Sequence, residues 1–364
     1  MAHDLVDARS MAWAVSGGRP WHNLGVPIDE NLPPCMWVDR ANLGWNVEVM
    51  PLPSEINGVS VNLGNNMLVR PPVYKGETNP VCLDIVGNKF KPVQNIDAAN
   101  VFAEYVENGQ MTMETAGALK NGTVVWFLAK TTEAFSLAGG DEVRGYFAGF
   151  NFHKFGRSMI WKFLMTRVVC ANTMAVGLNE KGLTAGKNGA IGEWRLSHSR
   201  EFDADAIEEM KVSLGMKHAM TTFKDQAAIL STAAINEQGI VRYLARVFAP
   251  KLVLNEKTLL VVVDGKEYKM TMPKTLDAVA NINSELISGK NLFKRAAKAF
   301  NDQPGLDLPS SRGKVWSALN GCTYVLDHVF GNNDESRMYN ATIGRSVAIK
   351  EHGLRVALEF AKAA

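Results

Sequence analysis

Three turn signals divide residues 111–168 into four runs, most of them rich in β-branched and aromatic residues. The signals are Asn121-Gly122, Gly139-Gly140 and the segment HKFG at 153–156. Asn-Gly between two β-prone runs is among the strongest short-range hairpin signals, because both residues tolerate positive φ. Runs such as TVVWFLAK and SMIWKFLMTRV have the composition of strands. Four strands joined by short connections predict an antiparallel meander. Alternation in the last of them puts Met159, Trp161, Phe163 and Met165 on one face and Ile160, Lys162 and Leu164 on the other, so the Trp161 face is expected in the core.

Helices are expected on either side of the meander. Asp97 is a candidate N-cap for a helix carrying Ala98, Val101, Phe102, Tyr105 and Val106, which Asn108-Gly109 would end. A second helix is expected to start around Asn172-Thr173. Upstream, WNVEVMPL, VSVNLG and NMLVRPPV read as short strands, and VCLDIVGNKFKPVQN as a hairpin turning at Gly87-Asn88. Downstream, Asp203 caps a helix that turns Ile207, Met210 and Leu214 inward, and another spans 240–248 before Pro250. A hairpin turns at Asp264-Gly265, Ser310 or Ser311 opens a helix with Val315, Trp316 and Leu319, and a last helix lies near 352–361.

The fold class expected is therefore α+β: an antiparallel β-meander core packed with helices, then a mainly helical C-terminal half with one inserted β-hairpin. Four regions follow: an irregular Trp-rich arm at 1–42 held by Trp13, Trp21 and Trp37, a β/α core at 43–180, a Gly-rich linker at 181–192, and the helical region 193–364 with its hairpin near 259–272. The 364 residues are 46 % hydrophobic and 21 % charged, the balance of a globular chain. Cys35, Cys82, Cys170 and Cys322 are far apart and form no CxxC pair, which argues against a zinc knuckle or a disulfide scaffold. The N-terminus lacks a basic segment followed by an apolar one, and no run approaches the roughly 18 apolar residues of a membrane span. A cytoplasmic protein with no membrane partner is expected.

Residues 143–179 contain no Asp or Glu, although the net charge of the whole chain is only +2. Arg144, Lys154, Arg157, Lys162 and Arg167 lie in that stretch among Phe152, Phe155, Trp161 and other aromatics. Cations beside aromatic rings suit an unpaired nucleic acid, since the cations neutralise phosphates while rings stack on bases. Lys89 and Lys91 flank Phe90 in the same style and would join the site if the fold brings them to the same groove. The pattern also fits a half-buried sheet whose basic residues are simply solvated. The missing acids favour function, because a merely solvated surface usually mixes signs. The residue set expected on nucleic acid is Arg144, Lys154, Phe155, Arg157, Lys162, Arg167, Lys89 and Lys91.

PWHNLGV at 20–26, VGNKFKPVQN at 86–95, TRVVCANTM at 166–174, SSRGKVWSALNGCTYVLDHVF and MYNATIGRSVAIKEHGLRVALEF together resemble the phage/plasmid-like protein family, a family of unknown function carried by bacteriophages and conjugative plasmids. The resemblance covers nearly the whole chain in the right order, and 251–280 departs from it. It implies a mobile-element setting in a bacterial host, where single-stranded DNA arises during entry, replication and recombination. The order hairpin, meander, helix is also similar to the core of single-strand annealing recombinases. That similarity is one of element order and chemistry, without a residue motif.

Single-stranded DNA is the expected partner, with a homo-oligomer and phage or host recombination proteins as further ones. No cofactor is expected, since there is no GxxxxGK[ST] and the glycines of LTAGKNGAIG are not placed between a strand and a helix. Asp203, Asp205, Glu208 and Glu209 sit where a helix dipole alone would place them. Two other readings stay open. One is a protein-binding module that counteracts a host defence factor through the arm or the C-terminal helices. The other is an enzyme using Cys170 with His22 and Asn172, a set that needs tertiary contact to form.

Overall fold

The computed structural model describes residues 11–15, 25–29, 32–170, 172–175, 192–263, 265–287, 291–331 and 344–363. The chain divides into two compact units. The first takes the described residues up to Thr132, then Gly145–Leu164, then those up to Ala219. The second takes Glu133–Arg144, the described residues of Met165–Val176, and the described residues from Met220 onward.

The meander forms as the turn signals require. Strands Met111–Leu119, Val124–Leu137, Asp141–Phe152 and Met159–Arg167 are neighbours in sequence order in one mixed sheet. Asn121 and Gly122 both take positive φ at the first turn, as do Gly139 and Gly140 at the second. The architecture is mixed α+β, with most helices in the C-terminal half. The sheet extends beyond the meander. Met11–Ala14 pairs antiparallel with the 111–119 strand, Val26–Ile28 pairs parallel with Met11–Ala14, and Glu193–Leu196 pairs antiparallel with Met159–Lys162. The segment expected to be an irregular arm thus supplies two strands and the helix Pro34–Arg40, with Trp37 fully buried. Trp21 and most of the 181–192 linker lie outside the described residues.

In the first unit one core joins the sheet to the helices Pro34–Arg40, Asn95–Asn100, Ala103–Glu107 and Ala204–Leu214. Phe102 lies 5.0 Å from Phe147 and 5.4 Å from Trp161, and Phe147 lies 5.4 Å from Trp161, ring centre to ring centre. Gly149 makes room for this cluster, since a Cβ there would stand 2.1 Å from the Trp161 ring. Asp203 caps the last helix by accepting from the Ala206 amide at 2.9 Å, and Met210 and Leu214 are buried as expected.

Three local expectations are corrected. Residues 172–175 form a strand beside Met159–Arg167, so pairing with a sheet edge outweighs the cap signal of Asn172. The helix expected to be capped by Asp97 begins three residues earlier, at Asn95 with Gln94 at the N-cap, because Asn95 is buried and its amide donates to the Leu43 and Trp45 carbonyls. No hairpin turns at Gly87-Asn88. Strand Val81–Gly87 pairs instead with Asn65–Arg70, which also pairs with Glu48–Pro51. Pro92 has no amide to give a ladder, and the Lys91 amide donates to the His198 carbonyl at 2.5 Å.

The second unit holds the helices Glu237–Phe248, Leu292–Ala299, Val315–Tyr324 and Arg345–Ala363 and the hairpin Thr258–Val263 with Lys266–Thr271, to which Val253–Asn255 adds a third strand. Ser310 and Ser311 do not open the 315–324 helix. Both are fully buried and turned to other partners.

Candidate functional site

The eight basic and aromatic positions separate into three groups once their surroundings are known. Lys162 and Arg167 are each 2 % exposed. The Lys162 ammonium pairs with Glu193 on the neighbouring strand at 2.6 Å. Arg167 donates from Nε to Asp141 Oδ1 at 2.7 Å and from a terminal nitrogen to Oδ2 at 2.8 Å, and also to Ser311 Oγ and the Gly305 carbonyl. Asp141 is itself fully buried and accepts from Ser310 Oγ at 2.6 Å and Trp316 Nε1 at 3.0 Å. Neither cation can reach a phosphate from these positions, and their place in the expected set is withdrawn. Both faces of the last meander strand are covered, with every residue from Met159 to Met165 at 5 % exposure or less. Trp161 and Phe163 are core residues.

Arg144 stands alone in the second group. It belongs to the second unit, is about one-third exposed, and is ion-paired with Glu142 two residues away on the same face of its strand.

Of the five remaining positions, Lys89, Phe155 and Arg157 converge on one cavity, whereas Lys91 and Lys154 do not line it. In the first unit, Lys89 and Phe90 from the turn after strand Val81–Gly87 line one cavity together with Phe155, Gly156 and Arg157 from the turn between the last two meander strands. Its volume is about 330 Å³. Gly156, at φ 70°, lets the second turn close, and Phe155 is left 66 % exposed. Strand Val81–Gly87 is tied to the second of these turns by Asp84, whose Oδ2 accepts from the Phe155 amide at 2.8 Å. Lys154, Arg157 and Lys89 are exposed. Lys91 is exposed too and pairs with Glu201 at 2.5 Å.

A third wall was not legible as part of any site. Ser197, His198 and Ser199 follow strand Glu193–Leu196, which its pairing with Met159–Lys162 carries to the groove. The His198 ring stacks on Phe90 at 4.5 Å and 17°, and its Nδ1 lies 3.1 Å from the Lys91 carbonyl, to which it donates. Beneath the second turn, His153 is fully buried and its Nε2 donates to Asn95 Oδ1 at 2.9 Å. Burial, and then the neighbouring His198, hold the His153 pKa down to about 3, and burial lowers that of His198. Both rings are neutral at neutral pH.

Among the described residues no group of three or more His, Cys, Asp or Glu is placed to hold a metal ion. His22 and the Cys170 side chain, proposed partners in a thiol site, lie outside the described residues. No described helix is long and apolar enough to cross a membrane.

A family model for a domain of unknown function (DUF932) matches residues 82–348, well over half of the chain. The chain belongs to the DUF932 family. All three walls of the groove fall inside the matched span, which begins one residue into strand Val81–Gly87. No curated protein and no solved structure matches this DUF932 chain.

Proposed function

We propose that this DUF932 protein binds single-stranded DNA along the groove between the 87–91 and 153–158 turns, without catalysing a reaction of its own. The observation that carries the reading is the meeting of two basic-aromatic turns, remote in sequence, around one cavity lined by Lys89 and Arg157, with Phe155 exposed between Lys154 and Arg157 in the chain. Exposed cations neutralise phosphates, and a ring open to solvent offers a face on which a base can stack. An unpaired strand suits the site better than a duplex, since only an unpaired base has a free face. The resemblance to phage- and plasmid-borne proteins supports a mobile-element role in the bacterial cytoplasm. Strand annealing by a homo-oligomer, with phage or host recombination proteins as partners and no nucleotide hydrolysis, is the role that such binding would serve.

Fluorescence anisotropy with single-stranded and duplex oligonucleotides across a salt series tests the reading. Binding of the unpaired strand should weaken steeply with salt, and Lys89→Ala with Arg157→Ala should lower the affinity and reduce the salt slope by about one for each phosphate no longer neutralised. Lys162→Met, a change at a buried pair, should leave the slope alone. Absence of binding at low salt, where phosphate attraction is strongest, ends the reading.

A further inference from the structure

The groove has more structure than phosphate neutralisation requires. A basic surface alone can track a backbone, yet here a concave space lies between two aromatic side chains from separate turns, Phe90 and Phe155. Phe90 is half-buried and stacked on the buried His198 ring, so its position is fixed from behind. Phe155 is open to solvent, while the backbone under it is fixed by the hydrogen bond to Asp84. Gly87 and Gly156 also line the cavity without adding side chains to it, and a Cβ at either would meet nothing within 4 Å.

The rim is chemically mixed. Ser158, Ser197 and Ser199 bring hydroxyls, and the Ser197 and Ser199 hydroxyls lie 2.9 Å apart. A hydroxyl both donates and accepts, so such a rim satisfies the edge of a planar heterocycle without demanding one pattern. Lys89 and Arg157 complete the rim with positive charge. At about 330 Å³ the space lies at the small end of ligand pockets, which run from roughly 300 to 1,000 Å³.

We infer that this cavity is a base pocket: it takes one unstacked nucleobase of a bound strand between Phe90 and Phe155, with Lys89 and Arg157 on the adjoining phosphates. The inference rests on the strand-binding reading above and adds to it a discrete site for a single base with little sequence preference. Its walls come from the segments 87–90, 155–158 and 197–199.

The test compares an oligothymidine with a strand of equal length built of abasic residues, which keeps the phosphates and removes the bases. Wild-type protein should bind the oligothymidine tighter by roughly tenfold, the size of one stacked base. Phe155→Ala should lower that preference several-fold and Phe155→Trp should restore it, whereas Lys162→Met, outside the cavity, should leave the affinities for both strands unchanged. Phe155 is 66 % exposed, so an unchanged melting temperature of the alanine variant verifies its fold. Equal binding of the two strands by the wild type overturns the base pocket but leaves phosphate-driven binding standing. Binding of neither strand removes the underlying reading and the pocket with it. Displacement of the oligothymidine by thymidine monophosphate at comparable concentration would make the cavity a free-nucleotide site and overturn its assignment to a strand.

Discussion

Lysines and arginines on strands look alike in a sequence, and here they divide between opposite roles. Lys162 and Arg167 belong to buried ion pairs, while Lys89, Lys154 and Arg157 project from turns. What separates them is the location of an acid. Asp141 lies just before the acid-free stretch and Glu193 after it, and pairing brings both acids back onto it. The absence of acids within 143–179 was legible, whereas their return across a strand or a turn was not, because register and strand order decide it. Arg167→Ala is expected to destabilise the fold by about 3–5 kcal/mol, since it leaves the Asp141 charge buried with Ser310 and Trp316 as its remaining donors. Arg157→Ala should cost within about 0.5 kcal/mol, as for other surface changes. Urea unfolding of the two variants checks the contrast, and equal losses would refute the division.

Short-range chemistry told most about the elements whose neighbours in space are also neighbours in sequence. The meander and its Asn121-Gly122 turn, the Asp203 cap and the 258–271 hairpin were all legible for this reason. Elements that depend on a distant partner were not. The strand at 172–175 was expected as a helix start, and the 81–95 stretch as a hairpin, because their true partners are a sheet edge in the one case and strand Asn65–Arg70 and the His198 carbonyl in the other. The groove was legible on two of its three walls, and the third came only with the pairing of Glu193–Leu196. Gly149 belongs to this scale too, since its role appears only when the Trp161 ring of the next strand is laid across it. Gly149→Val should destabilise by at least about 1–3 kcal/mol, the usual cost of overpacking, and should disturb the Phe102, Phe147 and Trp161 cluster. A lowered melting temperature together with altered near-ultraviolet circular dichroism would verify this. A silent substitution would mean the strand can shift away from the ring.

For the molecule as a whole, acidity should be the condition that tells most. The His153 pKa is about 3 in the folded chain against an ordinary 6.5, and that of His198 is also lowered, in both cases chiefly by burial. The folded state therefore binds fewer protons than the unfolded one below pH 6.5. The stability held by these neutral rings is fully present above that pH and is lost as pH falls toward 3, by at most about 1.4 kcal/mol per pH unit for each histidine. Protonation would also give His153 a buried Nδ1–H, and Nδ1 has no hydrogen-bond partner in the structure. Glu77, held down to about 2 chiefly by its hydrogen bond to Arg70, adds to the loss only below about 4.5. Melting temperatures should fall between about pH 6.5 and 5, less steeply in His153→Gln. A flat profile would mean that the rings are solvated. Both histidines stand behind the groove, and they bear on it in another way. His198 backs the Phe90 ring and Asp84 holds the Phe155 amide, so the Phe90 ring and the backbone under Phe155 are set before anything enters. Such a cleft is preorganised: little loop-ordering entropy is lost on association, and the interactions a ligand makes there pass almost undiminished into its residence time.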